Sequence, residues 1–140
     1  MSVHKADIQL DFAVPPARLW EAITDHEGMA KWTGSPVRII ARGDADGVGV
    51  VRRVRIGALR IDEEVVYADA PRRLAYRIVR GAPVSFHRGE MLVVPTERGS
   101  RLVWTILLAS DVPGFARLAT GTLQAALGRG VRELRGLIGG

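Results

Sequence analysis

The sequence predicts an α+β fold: a curved seven-stranded antiparallel sheet, two short helices after the first strand, and a long C-terminal helix over an internal cavity. Three observations carry that expectation. An isolated alternating strand precedes two short helical stretches near the N-terminus. Residues 37–110 then read as strands separated by frequent turn signals. A long amphipathic stretch closes the chain, and a sheet with one apolar face must bury it against the only stripe of matching length.

The elements follow in order. Ile8, Leu10, Phe12 and Val14 alternate with Gln9, Asp11 and Ala13, which marks a half-buried strand. Pro15-Pro16 ends it and suits a helix start, and Leu19, Trp20 and Ile23 share one face of that helix. Thr24-Asp25 offers a cap for a second helix containing Met29, Ala30 and Trp32, which Gly34-Ser35-Pro36 terminates. Asp44-Ala45-Asp46-Gly47, Gly57-Ala58, Asp69-Ala70-Pro71, Gly81-Ala82-Pro83 and Glu97-Arg98-Gly99 punctuate the strands. Connections this short permit hairpins but no crossovers, so six strands should form a meander. Leu118, Thr122, Leu123, Ala126, Leu127, Val131, Leu134 and Ile138 recur at helical period after Pro113-Gly114. Gly121, Gly128, Gly130 and Gly136 are costly there; they reflect either coding bias or room left beneath the helix.

Hairpin geometry sets expected registers. A two-residue Gly57-Ala58 loop puts Ile56 opposite Leu59 and Arg52 opposite Glu63. The 69–71 loop puts Tyr67 opposite Leu74, Val65 beside Tyr76 and Glu63 beside Ile78. A three-residue loop at 97–99 pairs Thr96 with Ser100, Leu92 with Trp104 and Glu90 with Ile106. In these registers four charges share the phase of apolar neighbours. Arg52 falls among Val50, Val54 and Ile56; Glu63 among Ile61, Val65 and Tyr67; Arg88 and Glu90 among Phe86, Leu92 and Val94. An inward charge is costly unless it is paired or reaches water, and a polar-studded cavity supplies both. His87 takes the outward phase of Gly89 and Met91; a shifted 81–84 turn would exchange it with Arg88 and make it the best-placed general base.

Bulk composition excludes several classes. The 140 residues make one domain, 1–140, with 47% apolar and 25% charged residues, so disorder is not the default. No apolar run reaches the roughly 18 residues a membrane span needs. There is no cysteine, and the N-terminus lacks a basic start and apolar core, so a cytoplasmic location is expected. The net charge is +5, but of 20 basic residues all except Lys5 and Lys31 are arginine, scattered and without interleaved aromatics. That reads as a solvated surface, with no nucleic acid as partner. His4, His26 and His87 make no metal site, and no phosphate loop, dinucleotide fingerprint or nucleophile elbow occurs, so no metal or cofactor is expected.

Residues 14–25, Val-Pro-Pro-Ala-Arg-Leu-Trp-Glu-Ala-Ile-Thr-Asp, followed by Met29-Ala30-Lys31-Trp32, resemble the opening of the START-like, Bet v 1-like helix-grip superfamily. Glu63-Glu64-Val65, Ala70-Pro71-Arg72-Arg73-Leu74-Ala75-Tyr76, His87-Arg88-Gly89-Glu90 and Gly99-Ser100-Arg101-Leu102-Val103-Trp104 extend the resemblance over nearly the whole chain. They are similar to the polyketide cyclase/dehydrase-like branch. The resemblance implies a cavity for a small, mainly apolar molecule of polyketide, quinone or lipid type. It also implies either cyclisation or dehydration chemistry, or a non-catalytic carrier, sensor or protein-interaction role, in a monomer or homodimer. Candidate catalytic groups are Glu63 and Glu90 as acid or base. Candidate ligand-binding groups are Arg52, which holds Glu63 ionised, the donors Tyr76 and Arg88, and Trp104, Leu123 and Leu127, with Trp32 at the rim. The alternative reading of the charges is structural: Arg52–Glu63 and Arg88–Glu90 rigidify the sheet.

Overall fold

A computed structural model describes residues 2–139. Strand β1 is His4–Phe12, followed by α1 (Pro16–Thr24), one 3₁₀ turn (Glu27–Met29) and α2 (Ala30–Thr33). Then come β2 (Val37–Ala41), β3 (Val51–Ile56), β4 (Leu59–Asp69), β5 (Arg73–Arg80), β6 (Phe86–Thr96), β7 (Gly99–Ala109) and α3 (Phe115–Ile138). The strands form one antiparallel, curved sheet in the order β1-β7-β6-β5-β4-β3-β2. The meander from β2 to β7 is therefore as expected, and β1 extends it by pairing with β7, Ile8 opposite Trp104.

Local chemistry explains the short helices. Pro16 opens α1, where a missing N–H costs nothing, and Leu19 and Ile23 are its fully buried face. Asp25 Oδ1 accepts the Gly28 N–H at 3.2 Å, bracing the 3₁₀ turn. Gly34 ends α2 at φ 76°, the left-handed conformation that glycine adopts without steric cost, and its N–H donates to Ala30 O.

α3 lies across the sheet against β1 and β7 and touches α2. Its buried stripe runs through Ala116, Thr120, Val131 and Leu134, with Leu123, Leu127 and Ile138 partly buried. Leu118, expected on this stripe, is 72% exposed, because two residues past Ala116 turn it to the opposite side of the helix. One helical glycine has a packing reason: a Cβ on Gly130 would sit 2.9 Å from the Trp32 carbonyl oxygen, whereas Gly121 and Gly136 face open space.

Of the three expected registers, β3–β4 holds, β4–β5 holds as far as Val65, with Tyr67 not opposite Leu74, and β6–β7 does not hold. Arg52 lies opposite Glu63 and Ile56 opposite Leu59, while Glu63 pairs with Ile78 and Val65 with Tyr76. A bulge between Val65 and Tyr67 then turns Tyr67 outward, opposite Ala75. The β6–β7 turn is a two-residue loop, with Thr96 opposite Gly99, so Met91 rather than Leu92 faces Trp104. That single-residue change reverses every side chain of β6. His87, Gly89, Met91 and Val93 point to the concave face, and Phe86, Arg88, Glu90 and Val94 to the convex one.

The reversal is testable by truncation. Met91→Ala removes a side chain with no exposed surface and should cost about 2–5 kcal/mol in urea unfolding. Leu92→Ala, on the convex face, should cost about 1 kcal/mol. The opposite order would return β6 to the register expected from sequence.

Candidate functional site

Between the concave sheet and α3 lies a cavity of about 110 Å³. Val54, Ile61, Ile78, Ile106 and Leu108 line it from the strands, and Leu123 and Leu127 from α3. Ser35, Ala82, Val84 and Phe115 bound it from the connecting segments and the start of α3. Arg52, Glu63, Tyr76, His87 and Trp104 give this apolar chamber its polar groups.

Arg52 organises them. Its side chain is 1% exposed, and Nε donates to Glu63 Oε1 at 3.0 Å. Nη1 lies 3.0 Å from both His26 Nδ1 and Met29 Sδ, and the guanidinium carbon sits 4.6 Å from the Tyr76 ring centroid. Arginine only donates, so His26 Nδ1 accepts and the imidazole is the neutral tautomer with its proton on Nε2. Burial, reinforced by the Arg52 charge, lowers the His26 pKa to about 4, against an opposing pull from Asp25. Glu63 retains 14% exposure and borders the cavity, with Oε1 committed to Arg52.

Tyr76 fits because β6 has no side chain beneath it. Gly89 lies opposite Tyr76, and a Cβ there would come within 2.1 Å of Tyr76 Cζ. The phenol oxygen accepts the Trp104 indole N–H at 2.9 Å. Burial, then the Glu63 charge, pushes the Tyr76 pKa up, so the hydroxyl keeps its proton and remains a donor. Trp104 also meets Trp32 edge-on, ring centroids 6.0 Å apart.

His87 completes the set, although the register expected from sequence points it outward. Its Nδ1 accepts the Ile78 N–H at 3.0 Å, which leaves the proton on Nε2. Burial and then Arg52 lower its pKa to about 4, so at neutral pH it is an uncharged donor. His26 carries no functional signal in the sequence. Its burial follows from Arg52, 26 positions along the chain, so no local pattern could have found it.

The structure brings together Arg52, Glu63, Tyr76, Trp104, Leu123 and Leu127 around the cavity. It does not bring Arg88 or Glu90 there. Both lie on the convex face, where Glu90 Oε2 is 2.7 Å from Arg73 and 3.6 Å from Arg88. Their inward placement rested on the phase shared with Phe86, Leu92 and Val94 together with the three-residue loop, and the two-residue loop puts that whole phase on the convex face. Trp32 is buried core behind Trp104, 5% exposed, and does not border the cavity. Among the described residues no cluster of His, Cys, Asp or Glu could hold a metal ion.

Gly89→Ala should cost about 1–3 kcal/mol by displacing the Tyr76 ring, and should change tryptophan fluorescence as the Trp104 hydrogen bond is lost. A stability loss without a fluorescence change would break the assigned link. The histidines set a pH window. Unfolded, they take up protons near 6.5; folded, near 4. Between those values the unfolded chain binds more protons, so stability is intact above pH 6.5 and falls as pH drops towards 4. Asp62, held low by Arg53 and Arg80, loses its contribution only below its ordinary 3.8, outside that window. Urea midpoints measured across the window should fall in the wild type and stay flatter in His26→Gln/His87→Gln.

No curated protein matches the chain. Among solved structures, TTHA0849 from Thermus thermophilus superposes with a TM-score of 0.79 at 19% identity, covering 96% of this chain and 97% of that one. Ara h 8.0201 gives 0.73 at 17%, covering 98% of each. MLL2253 from Mesorhizobium loti gives 0.70 at 18%, covering 96% of each. At these identities the likeness is one of fold. The sequence model of a single family spans residues 3–139, and the chain belongs to that family, described as polyketide cyclase/dehydrase and lipid transport.

Proposed function

We propose that the cavity binds a small, mainly apolar molecule bearing oxygen acceptors, of polyketide, quinone or lipid type. The observation that carries this reading is an apolar chamber whose polar groups are few and fixed. Tyr76 O–H and His87 Nε2–H are the donors, and the Glu63 carboxylate is the acceptor. The family description, which joins cyclisation and dehydration to lipid transport, supports the same class. A cavity of about 110 Å³ favours a molecule the size of a single ring. A fused-ring system or long acyl chain needs Phe115, Leu123 and Leu127 to move apart.

The same groups are suited to proton chemistry. Glu63, hydrogen-bonded to Arg52, is the candidate base, and Tyr76 and His87 would stabilise charge developing on a ligand oxygen. Glu90, bound to Arg73 on the convex face, has no part in this reading. The carrier reading needs only the first half, binding without turnover, and Glu63→Gln separates the two. Conversion of a bound ligand by the wild type and not by the variant supports catalysis, and binding with no conversion by either protein supports a carrier.

The chamber is tested by comparing p-cresol with toluene, which has nearly the same shape without the hydroxyl. Both should shift amide resonances of Ile61, Ile106 and Leu127, with p-cresol binding about fivefold to tenfold more tightly. Leu127→Trp, which fills the space, should abolish both while the protein stays folded. Equal binding of both compounds to wild type and variant would refute the site.

A further inference from the structure

We propose that the convex face of β2, β3 and β4 is a second site, one that binds a phosphoryl-class oxyanion carried by a small solute. Register places Arg38 directly opposite Arg53, and Arg55 directly opposite Arg60. With Pro36 and Val37 these four side chains border a depression of about 290 Å³. Directly opposed like charges destabilise a sheet unless something between them is negative.

The protein does not supply that charge. Asp62 is the acidic side chain beside the cluster, and it is already held by Arg53 through 2.8 and 3.2 Å contacts and by Arg80 at 2.7 Å. Arg38, Arg55 and Arg60 have no ion pair among the described residues. Elsewhere on the outer surface the sheet follows the opposite rule. Arg73 pairs with Glu90, Arg77 with Glu64, Arg80 with Asp62 and Arg101 with Asp11. Among the described strand arginines, those without an ion pair are thus confined to one corner, where they border one hollow.

Guanidinium groups present paired N–H donors that match the oxygens of a phosphoryl group, and several together favour a multiply charged oxyanion over a carboxylate. The hollow is walled on one side by Pro36 and Val37, which suits a compact group rather than a flat charged surface. The site stands independently of the cavity reading, although the two share a wall. Val37 borders both, and Val54 and Ile56 face the cavity from the strand that carries Arg53 and Arg55 outward.

The test uses inorganic pyrophosphate, with sodium chloride at matched ionic strength and phosphatidylglycerol vesicles as comparison arms. Millimolar pyrophosphate should saturably shift the side-chain Nε–H resonances of Arg38, Arg55 and Arg60 and raise the melting temperature. Arg55→Gln/Arg60→Gln should bind about tenfold more weakly or worse. Without the anion, that variant should melt at or above the wild-type temperature, because a like-charge repulsion has been removed. An equal response to chloride would mean screening alone and would overturn the site. So would undiminished binding by the variant, or an anion-free variant that melts clearly lower. Co-sedimentation with vesicles without saturable pyrophosphate binding would overturn the small-solute assignment.

Discussion

The cavity depends on one buried cation. Arg52 is almost wholly removed from water, and in the interior its charge would cost several kcal/mol if left alone. Four contacts from three parts of the fold hold it: Glu63 across the β3–β4 hairpin, His26 and Met29 from the turn between α1 and α2, and the face of Tyr76 from β5. Each partner is fixed in turn. His26 must be neutral to accept from a guanidinium, and Tyr76 must lie flat over Gly89 to present its face. Replacing such a pair by hydrocarbon often leaves a protein as stable or more so, so stability alone does not account for an arginine here. What it provides is a rigid polar wall in an apolar chamber.

The two faces of the sheet treat charge differently. On the concave side a single cation is surrounded by a carboxylate, a neutral imidazole, a thioether and an aromatic ring, and its charge adds to burial, the larger cause, in lowering the pKa of both nearby histidines. Across most of the convex side arginines and carboxylates form cross-strand pairs, the corner of Arg38, Arg55 and Arg60 excepted, and Asp62 lies buried beneath two guanidinium groups. Alternation along β3 serves both faces at once, with Arg52 inward between the outward Arg53 and Val51.

The fold was legible because its signals were local. Gly57-Ala58 can close only a tight hairpin, which sets Arg52 against Glu63 without knowledge of the rest of the chain. Strand β6 was not legible in the same way. Phe86, Leu92 and Val94 make one apolar phase and Met91 and Val93 another, so periodicity does not choose between faces. The choice fell to the turn, where Gly99 serves as the first strand residue rather than the last loop residue. That one position moved Glu90 and Arg88 out of the site and His87 into it. The bulge after Val65 and the partnership of His26 with Arg52 depend on contacts between distant elements, which no window of sequence contains.

Arg52 and Glu63 act as one unit, each making the other's burial tolerable. A double-mutant cycle with Arg52→Met and Glu63→Gln, read by urea unfolding, tests it most directly. Each single change should be strongly destabilising, by about 3 kcal/mol or more for Glu63→Gln, which strands the cation. The double variant should recover much of that loss, giving a coupling energy above about 1.5 kcal/mol. Effects that add to within about 0.5 kcal/mol would contradict it, because the two side chains would then be independent neighbours.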